Sequence, residues 1–106
     1  MAARVYSQHA QAAASLLGKR IALGRKARRM TASDFAERVG VSRTTLHKIE
    51  HGDLKCEIGT VLEAAVLAGV VLFDAHLSAT TEAVNDKLAL LPKSVRKRRT
   101  PVDDDF

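Results

Sequence analysis

The chain is poor in residues that several classes of protein need. Its 106 residues include one cysteine, no tryptophan, one tyrosine and three phenylalanines. The single Cys56 excludes an internal disulfide and favours a reducing, cytoplasmic location, with redox sensing as a less favoured role. Aromatic residues are typical of strands, and the apolar residues here are mostly alanine, leucine and valine. The composition therefore predicts an all-α fold rather than a sheet.

Long apolar runs are also absent. No segment is apolar for long enough to cross a bilayer, and polar residues such as Gln8, His9 and Gln11 interrupt the alanines near the N-terminus. We therefore expect neither a membrane span nor a secretory signal, and no membrane partner.

The sequence lacks the patterns on which enzymes and metal proteins depend. No nucleophile has an identifiable base, no glycine-rich loop follows a strand, and a core of this size is too small for a buried multi-residue active site. His47 and His51 have the i, i+4 spacing of a helical zinc pair, but no third ligand has the right context. We expect a protein without enzymatic activity, cofactor or bound metal.

Positive charge is concentrated in the first half of the chain. The formal net charge is +5 and the isoelectric point is about 9.8. Residues 1–56 contain eleven Lys or Arg against four Asp or Glu, residues 57–92 contain one against five, and residues 93–106 contain five against three. This distribution favours a polyanionic partner for the first segment.

Residues 31–52 contain the pattern of two short helices joined by a glycine turn. Thr31 is a suitable N-cap, and Asp34 completes a Thr-x-x-Asp variant of the capping box. Gly40 is predicted to end this helix in a left-handed conformation, and Ser42 to cap the next helix. Two short helices separated by such a turn are typical of a helix-turn-helix, which binds DNA.

The second helix of this motif has an apolar face and a donor-rich face. Leu46 and Ile49 are its large inward residues. The opposite face is expected to carry five polar side chains at helical spacing: Arg43, Thr44, His47, Lys48 and His51. Such a surface suits the acceptor atoms of guanine and the phosphate groups. Arg43 is the best candidate for a guanine contact.

The order of these residues resembles the XRE/Cro-type repressor family. That family has threonine at the cap of the second helix, Phe-Ala within it, glycine at the turn, and then Ser-Arg-Thr-Thr-Leu and Ile-Glu-x-Gly, as in residues 31–52. The resemblance covers Leu17 to Leu72 and implies a five-helix, lambda-repressor-like DNA-binding domain. It also implies a structural ion pair between Arg25 and Glu50. The chain departs from the family at Ala32, where a glutamine usually grips a phosphate.

The resemblance implies a set of DNA-contacting residues. The set comprises Ser42, Arg43, Thr44, Thr45, His47, Lys48 and Lys55. A structural role explains Thr45 equally well, because its side chain is expected to point partly inward, and a solvated loop position explains Lys55 equally well. Lys26, Arg28 and Arg29 either approach the DNA backbone or form the solvated cationic end of a helix.

The first helix is predicted from His9 to Arg28, after a flexible segment over residues 1–8. Gly24 is expected to lie at a close contact with another helix. Arg29 occupies the position before the next helix where glycine is usual, which predicts a strained or extended turn.

Two more helices are predicted to complete the domain, which would then span residues 9–78. The fourth is predicted from Gly59 to Ala68. Its buried residues are expected to be Val61, Leu62, Ala65 and Val66. A short fifth helix is predicted from Val70 to Leu77, with Leu72 and Phe73 as its apolar anchors.

The remaining sequence predicts a helix over residues 79–92 and a tail over residues 93–106. Thr80 or Thr81 is expected to cap this helix, and Pro92 to end it. An apolar stripe is expected along it, formed by Val84, Leu88 and Leu91. The stripe either packs on the domain or forms a dimer or partner interface. The tail, basic and then acidic, has too few apolar residues to fold by itself and is predicted to be disordered.

The end of the sequence resembles HipB-like antitoxins. Leu-Ala-Leu-Leu-Pro is followed by a basic run and then by Asp-Asp-Asp-Phe. The resemblance implies a HipA-type serine/threonine kinase toxin as a partner. The residues that would bind it are Arg96, Arg98, Arg99, Asp103, Asp104, Asp105 and Phe106. The alternative is a stand-alone transcriptional repressor with no toxin partner.

A single recognition helix rarely discriminates enough between DNA sequences. We therefore expect a homodimer bound to double-stranded operator DNA at an inverted repeat, in the cytoplasm and associated with the nucleoid. The fourth and fifth helices with the apolar stripe are the preferred dimer surface, and the long first helix is the alternative.

Overall fold

The computed structural model describes residues 5–73 and 76–95. Five helices lie within these ranges: α1 (Gln8–Ala27), α2 (Ala32–Val39), α3 (Arg43–Glu50), α4 (Ile58–Leu67) and α5 (Leu77–Ala89). The described residues form no strand, and the predicted all-α class is confirmed.

The described residues form two compact units, 5–73 and 76–95. The first unit contains α1 to α4, and the second contains α5. Within the first unit, α3 packs on α1 and α2, and α4 packs on the same two helices. In the first unit, α3 and α4 therefore both pack against α1 and α2.

Hydroxyl side chains begin the first three helices. The side-chain oxygens of Ser7, Thr31 and Ser42 each accept a hydrogen bond, 3.1 Å long, from the backbone amide three residues later. Each bond satisfies an amide that has no partner within the helix. The predicted caps of α2 and α3 are confirmed, whereas Ser7, which starts α1 one residue earlier than predicted, was not foreseen. Gly40 ends α2 with φ of 91°, as expected.

The core of the first unit is centred on Ile21 of α1, Phe35 of α2 and Leu46 of α3, which are completely or almost completely buried. Ile49 and four alanines complete the buried cluster: Ala36, Ala64, Ala65 and Ala68. Burying a large apolar side chain contributes roughly 1.5–3 kcal/mol to folding. This cluster consequently sets the angle between the two helices of the motif.

Two glycines allow backbones to approach closely. A Cβ atom on Gly18 would lie 2.5 Å from the carbonyl oxygen of Ile49 and 2.6 Å from that of Glu50. A Cβ atom on Gly24 would overlap the backbone of Ala68, so the predicted close helix contact at Gly24 is confirmed. Side chains at these positions would hold α1 away from α3 and α4.

The predicted inward face of α4 is wrong in part. Ala65 is fully buried, but Leu62 and Val66 are 38 % and 61 % exposed. They form an outward row with Ile58, which is 74 % exposed, at i, i+4 and i+8. The helix is apolar on nearly all sides, so its sequence does not distinguish the two faces. Its small alanine face is buried because the close approach at Gly24 leaves no room for larger side chains.

The predicted helix from Val70 to Leu77 is wrong. Gly69 ends the turn after α4 with φ of 80°, and residues 70–73 are not helical. Leu72 does pack against the core, but Phe73 has φ of 64° and is 89 % exposed, so it is not an anchor. The segment begins with two β-branched valines and has no capping residue, which makes nucleation of a short helix unfavourable.

The second unit contains α5, which begins earlier than predicted. Its N-cap is His76, and the hydroxyl of Thr81 donates a hydrogen bond to the carbonyl oxygen of Leu77 (2.8 Å). Thr81 therefore lies within the helix and does not cap it. No residue of α5 is buried, and its predicted apolar stripe is exposed, with Val84 48 % and Leu88 59 % exposed.

Substitution of Gly18 by alanine tests the close contact between α1 and α3. We expect Gly18→Ala to lower the free energy of unfolding by about 1–3 kcal/mol, because a methyl group would displace the backbone at the end of α3. Gly59→Ala is the matched control. A Cβ atom there meets open space, and alanine should leave stability unchanged or raise it by up to about 1 kcal/mol. Equal urea denaturation curves for the two variants would contradict this packing.

Candidate nucleic-acid interface

The outer face of α3 carries the predicted row of polar side chains. Arg43, Thr44, His47 and Lys48 are all exposed, on the side of the helix opposite the buried Leu46. Because residues three and four apart are neighbours on a helix surface, the row is continuous over two turns. It presents hydrogen-bond donors and positive charge to solvent.

Ser42 and Thr45 lie at the start of α3 and bond to each other. The Ser42 hydroxyl accepts the Thr45 amide and donates to the Thr45 hydroxyl oxygen, each at 3.1 Å. Thr45 is half-buried, whereas Ser42 is exposed. Through these contacts both residues belong to the cap of α3. They support a structural role for Thr45.

A cleft of about 580 Å³ lies beside this row. It is lined by residues of α1, α2, α3 and the cap of α3: Arg25, Lys26, Ala32, Arg43, Thr44, Leu46, His47, Glu50 and His51. Ala32 is the first residue of α2, where the positive end of the helix dipole lies. The cleft therefore combines a helix N-terminus with the side chains of Lys26 and Arg43. Such a combination attracts phosphate.

Arg25 and Glu50, which both line the cleft, form an ion pair. The Arg25 Nε donates to Glu50 Oε2 (2.8 Å) and Nη2 donates to Oε1 (3.1 Å). Nη1 donates to the carbonyl oxygen of Met30 (3.0 Å), between α1 and α2. The two side chains are only 11 % and 9 % exposed. The hydrogen bonds that Arg25 donates to the Glu50 carboxylate raise the pKa of Arg25 despite its burial, so the guanidinium remains charged.

The three basic residues at the end of α1 have different environments. Lys26 lines the cleft. The Arg28 guanidinium donates to the carbonyl oxygens of Gly24 (3.4 Å) and Ala68, and so neutralises the carbonyl end of α4. Arg29 is exposed and has φ of 57°, the strained turn that the sequence predicted. Of the three, Lys26 lies beside residues of α3 in the cleft, and Arg28 has a structural role.

The loop after α3 contains Lys55 and Cys56. The side chain of Lys55 is exposed, and its backbone amide donates to Asp53 Oδ1 (2.8 Å), which holds the loop. Burial raises the pKa of the Cys56 thiol, and the charge of Asp53 adds to this effect while Lys48 opposes it. A raised pKa leaves less thiolate at neutral pH, the opposite of what a redox-sensing cysteine requires.

His47 and His51 form a ring stack that sequence reasoning did not anticipate. Their ring centroids are 3.9 Å apart and their planes differ by 29°. The Nδ1 atom of His51 lies 2.7 Å from the carbonyl oxygen of His47 and donates to it. The i, i+4 spacing is the signal from which this stack was predictable.

No group of three potential metal ligands occurs among the described residues.

Comparison with known proteins identifies the motif. Residues 16–76 match the family model described as a helix-turn-helix domain. The chain belongs to the helix-turn-helix family. The helix-turn-helix domain is a DNA-binding module of transcription regulators, and its members are typically not enzymes. No curated protein and no solved structure matched the chain in the same comparisons.

The residues predicted to bind a toxin, 96–106, lie outside the part of the chain that the structure describes. Among the described helices, none has the length and apolar character that crossing a membrane requires.

Removal of the Glu50 carboxylate tests the role of the ion pair in the helix-turn-helix domain. We expect Glu50→Ala to lower the free energy of unfolding by about 3–5 kcal/mol, because it leaves a largely buried guanidinium without its partner. Glu37→Ala removes an exposed carboxylate from α2 and should change stability by less than about 0.5 kcal/mol. Thermal or urea unfolding of both variants measures the difference, and a loss below about 1 kcal/mol for Glu50→Ala would refute this account.

Proposed function

We propose that this protein is a sequence-specific transcriptional repressor that binds double-stranded operator DNA as a homodimer. The observation that carries the proposal is the exposed row of Arg43, Thr44, His47 and Lys48 on α3, next to the cationic cleft. In helix-turn-helix proteins the second helix lies in the major groove, with its first turn nearest the base edges. Resemblance to the XRE/Cro-type repressors supports repression as the outcome.

The position of each side chain along α3 suggests its role. Arg43 is the first residue of the helix and would donate two hydrogen bonds to one guanine. Thr44 follows it and would contact a thymine methyl group or another base edge. His47 and Lys48 lie one turn further and would reach bases or phosphates. Ser42 and Thr45 would mainly hold the start of the helix in position.

Phosphate contacts would come from both sides of α3. At the start of α2, Thr31 caps the amide of Asp34, and the amides of Ala32 and Ser33 complete the positive end of the helix. The alanine at position 32 removes a glutamine contact but leaves these amides accessible to a phosphate. Lys26 on one side and Lys55 on the other add positive charge. These contacts would fix the domain on the backbone and make its affinity depend on salt.

The outward row of α4 is the surface through which we propose that two copies associate. Ile58, Leu62 and Val66 are exposed along one side of the helix, flanked by the exposed carboxylates of Glu57 and Glu63. An apolar surface with acidic neighbours is unsuited to DNA and suited to a protein partner. A two-fold dimer would place its recognition helices about 34 Å apart, one turn of DNA.

Replacement of Arg43 tests the DNA contact. A duplex library with a randomised region is selected for binding to the wild-type chain, and we expect inverted repeats with half-sites about 10 bp apart. On the selected duplex, Arg43→Ala should cost about 1–3 kcal/mol of binding free energy and relax discrimination at one position per half-site. Both effects follow from the loss of a bidentate contact.

Arg20→Ala is the matched control for Arg43→Ala. Arg20 lies on α1 in a different groove, beside Leu23 and Val71, and its removal should leave sequence preference unchanged. A uniform loss of affinity on all sequences would make Arg43 a phosphate contact. Equal effects of the two substitutions would contradict the assignment of α3 as the recognition helix.

Resemblance to HipB-like antitoxins adds a second role to the proposal, the neutralisation of a HipA-type serine/threonine kinase. Support comes from α5, whose Val84, Leu88 and neighbouring Leu91 form an exposed apolar stripe immediately before the basic segment of the sequence. Exposed stripes of this kind mark protein-binding surfaces. The repressor would then have separate surfaces for DNA and for the kinase.

A pull-down separates the antitoxin from the stand-alone repressor. The tagged full chain is recovered from its native extract after nuclease treatment, and its partners are identified by mass spectrometry. We expect a stoichiometric HipA-type kinase, lost when residues 93–106 are removed and weakened when residues 102–106 are removed. Arg43→Ala, which alters only the DNA surface, should retain the kinase. Recovery of a homodimer alone would contradict the antitoxin role and favour the stand-alone repressor.

A further inference from the structure

Helices α1 and α4 lie side by side and run in the same direction. Near the end of α1, a Cβ atom on Gly24 would overlap the backbone of Ala68, which follows the last residue of α4. Nearer the start of α1, Leu17 lines an apolar cavity together with Ile58 and Val61, at the start of α4. The two helices therefore form one face of the first unit.

Each of these helices has an exposed apolar row on this face. The α1 row consists of Leu16 and Leu23, which lie two helical turns apart and are more than half exposed. Leu23 lines the groove between α1 and residues 68–71, and Ile58 lines the cavity at the other end. The α1 row and the outward row of α4 therefore both border the contact between the helices.

The two rows have opposite charge. Lys19 and Arg20 are exposed within the α1 row, and α1 contains no acidic residue. Glu57 and Glu63 flank the outward row of α4, and α4 contains no basic residue. None of these four side chains forms an ion pair within the described part of the chain. They are therefore available to form ion pairs with a partner.

These charges decide how two copies of the chain can associate. Pairing α4 with α4 of a second copy would bring the Glu57 and Glu63 carboxylates of both copies together. Pairing α1 with α1 would do the same for Lys19 and Arg20, and like charges across an interface oppose association. Pairing α1 of one copy with α4 of the other places cations beside carboxylates and covers both apolar rows.

We propose that the α1 row of each protomer packs against the outward row of α4 of its partner, so that the homodimer contains this contact twice. A two-fold axis parallel to the helices generates both contacts, because rotation about it places α1 of one protomer opposite α4 of the other. The proposal deepens the proposed function and rests on it, because it takes the homodimer as given. It adds Leu16, Arg20 and Leu23 of α1 to the interface proposed for α4.

Charge reversal on one helix tests the contact. The full chain is studied by sedimentation equilibrium at low salt over a range of protein concentrations. The variant Lys19→Glu with Arg20→Glu should raise the dissociation constant of the dimer by at least about tenfold, because both copies of the contact become repulsive. Glu57→Lys with Glu63→Lys should have the same effect. Since a cation is unfavourable at the N-terminus of α4, Glu63→Lys alone is a further variant, which should act in the same direction to a smaller extent.

A mixture of the two double variants separates this contact from pairings of like helices. In a heterodimer of the two variants, one contact joins the reversed α1 to the reversed α4, and the other joins the two unchanged helices. Both contacts are then attractive, so the mixture should dimerise about as tightly as the wild-type chain, although neither variant does so alone. A pairing of α4 with α4 predicts no effect of reversal on α1.

Arg38→Glu is the matched control, since it reverses an exposed arginine of α2 outside both rows and should leave the dissociation constant unchanged. Circular dichroism and urea unfolding verify that each variant is folded. Arg20 would act on DNA binding through the dimer alone, so its removal changes affinity and leaves sequence preference unchanged.

Three results would overturn the inference and leave the proposed repressor intact. They are an unchanged dimer after reversal on α1, no gain in the mixture over either variant, and growth of the wild-type chain into oligomers larger than a dimer. A wild-type chain that stays monomeric in solution and on DNA would overturn both the inference and the homodimer of the proposed function.

Discussion

The ion pair between Arg25 and Glu50 is the interaction on which the side of the domain that carries the cleft and α3 depends. It joins the last turn of α1 to the last residue of α3, and the third hydrogen bond, to Met30, fixes the turn that leads into α2. Because both side chains are largely buried, water could not replace either charge as the partner of the other. The ion pair therefore sets the relative positions of α1, α3 and the turn before α2, and both of its residues line the cleft beside α3.

Charge and apolar surface are separated within the first unit. The cations collect around α3 and the start of α2, whereas the outward row of α4 is apolar and has acidic neighbours. In the proposed function, the cationic surface would bind DNA and the apolar surface would bind a second copy of the chain. Charge alone does not show which basic residues are available to a polyanion. Arg28 lies in a basic segment, yet its guanidinium donates to backbone carbonyl oxygens and supports α4.

Local chemistry made much of the fold predictable. Thr31, Gly40 and Ser42 define the ends of α2 and α3 through bonds within a few residues, and such bonds are legible in a single sequence. Arg25 and Glu50 are 25 residues apart, and only the family resemblance paired them. The exposed row on α3 was predictable because its apolar and polar residues alternate with helical spacing. The conformation of the segment after Gly69 was not predictable, because apolar content alone does not distinguish a short helix from a loop.

The sequence by itself determined the helical class, the caps, the glycine turn and the donor-rich face of α3, because each depends on contacts between near neighbours in the chain. Only the tertiary structure decided which face of α4 is buried, since that helix is apolar on nearly all sides and the close approach of α1 at Gly24 selects its alanines. It also decided the environment of the His47–His51 stack. Spacing brings those two rings together, but Arg25 and Lys26, which line the same cleft, come from α1, and Lys55, which lines a groove with His51, comes from the loop after α3.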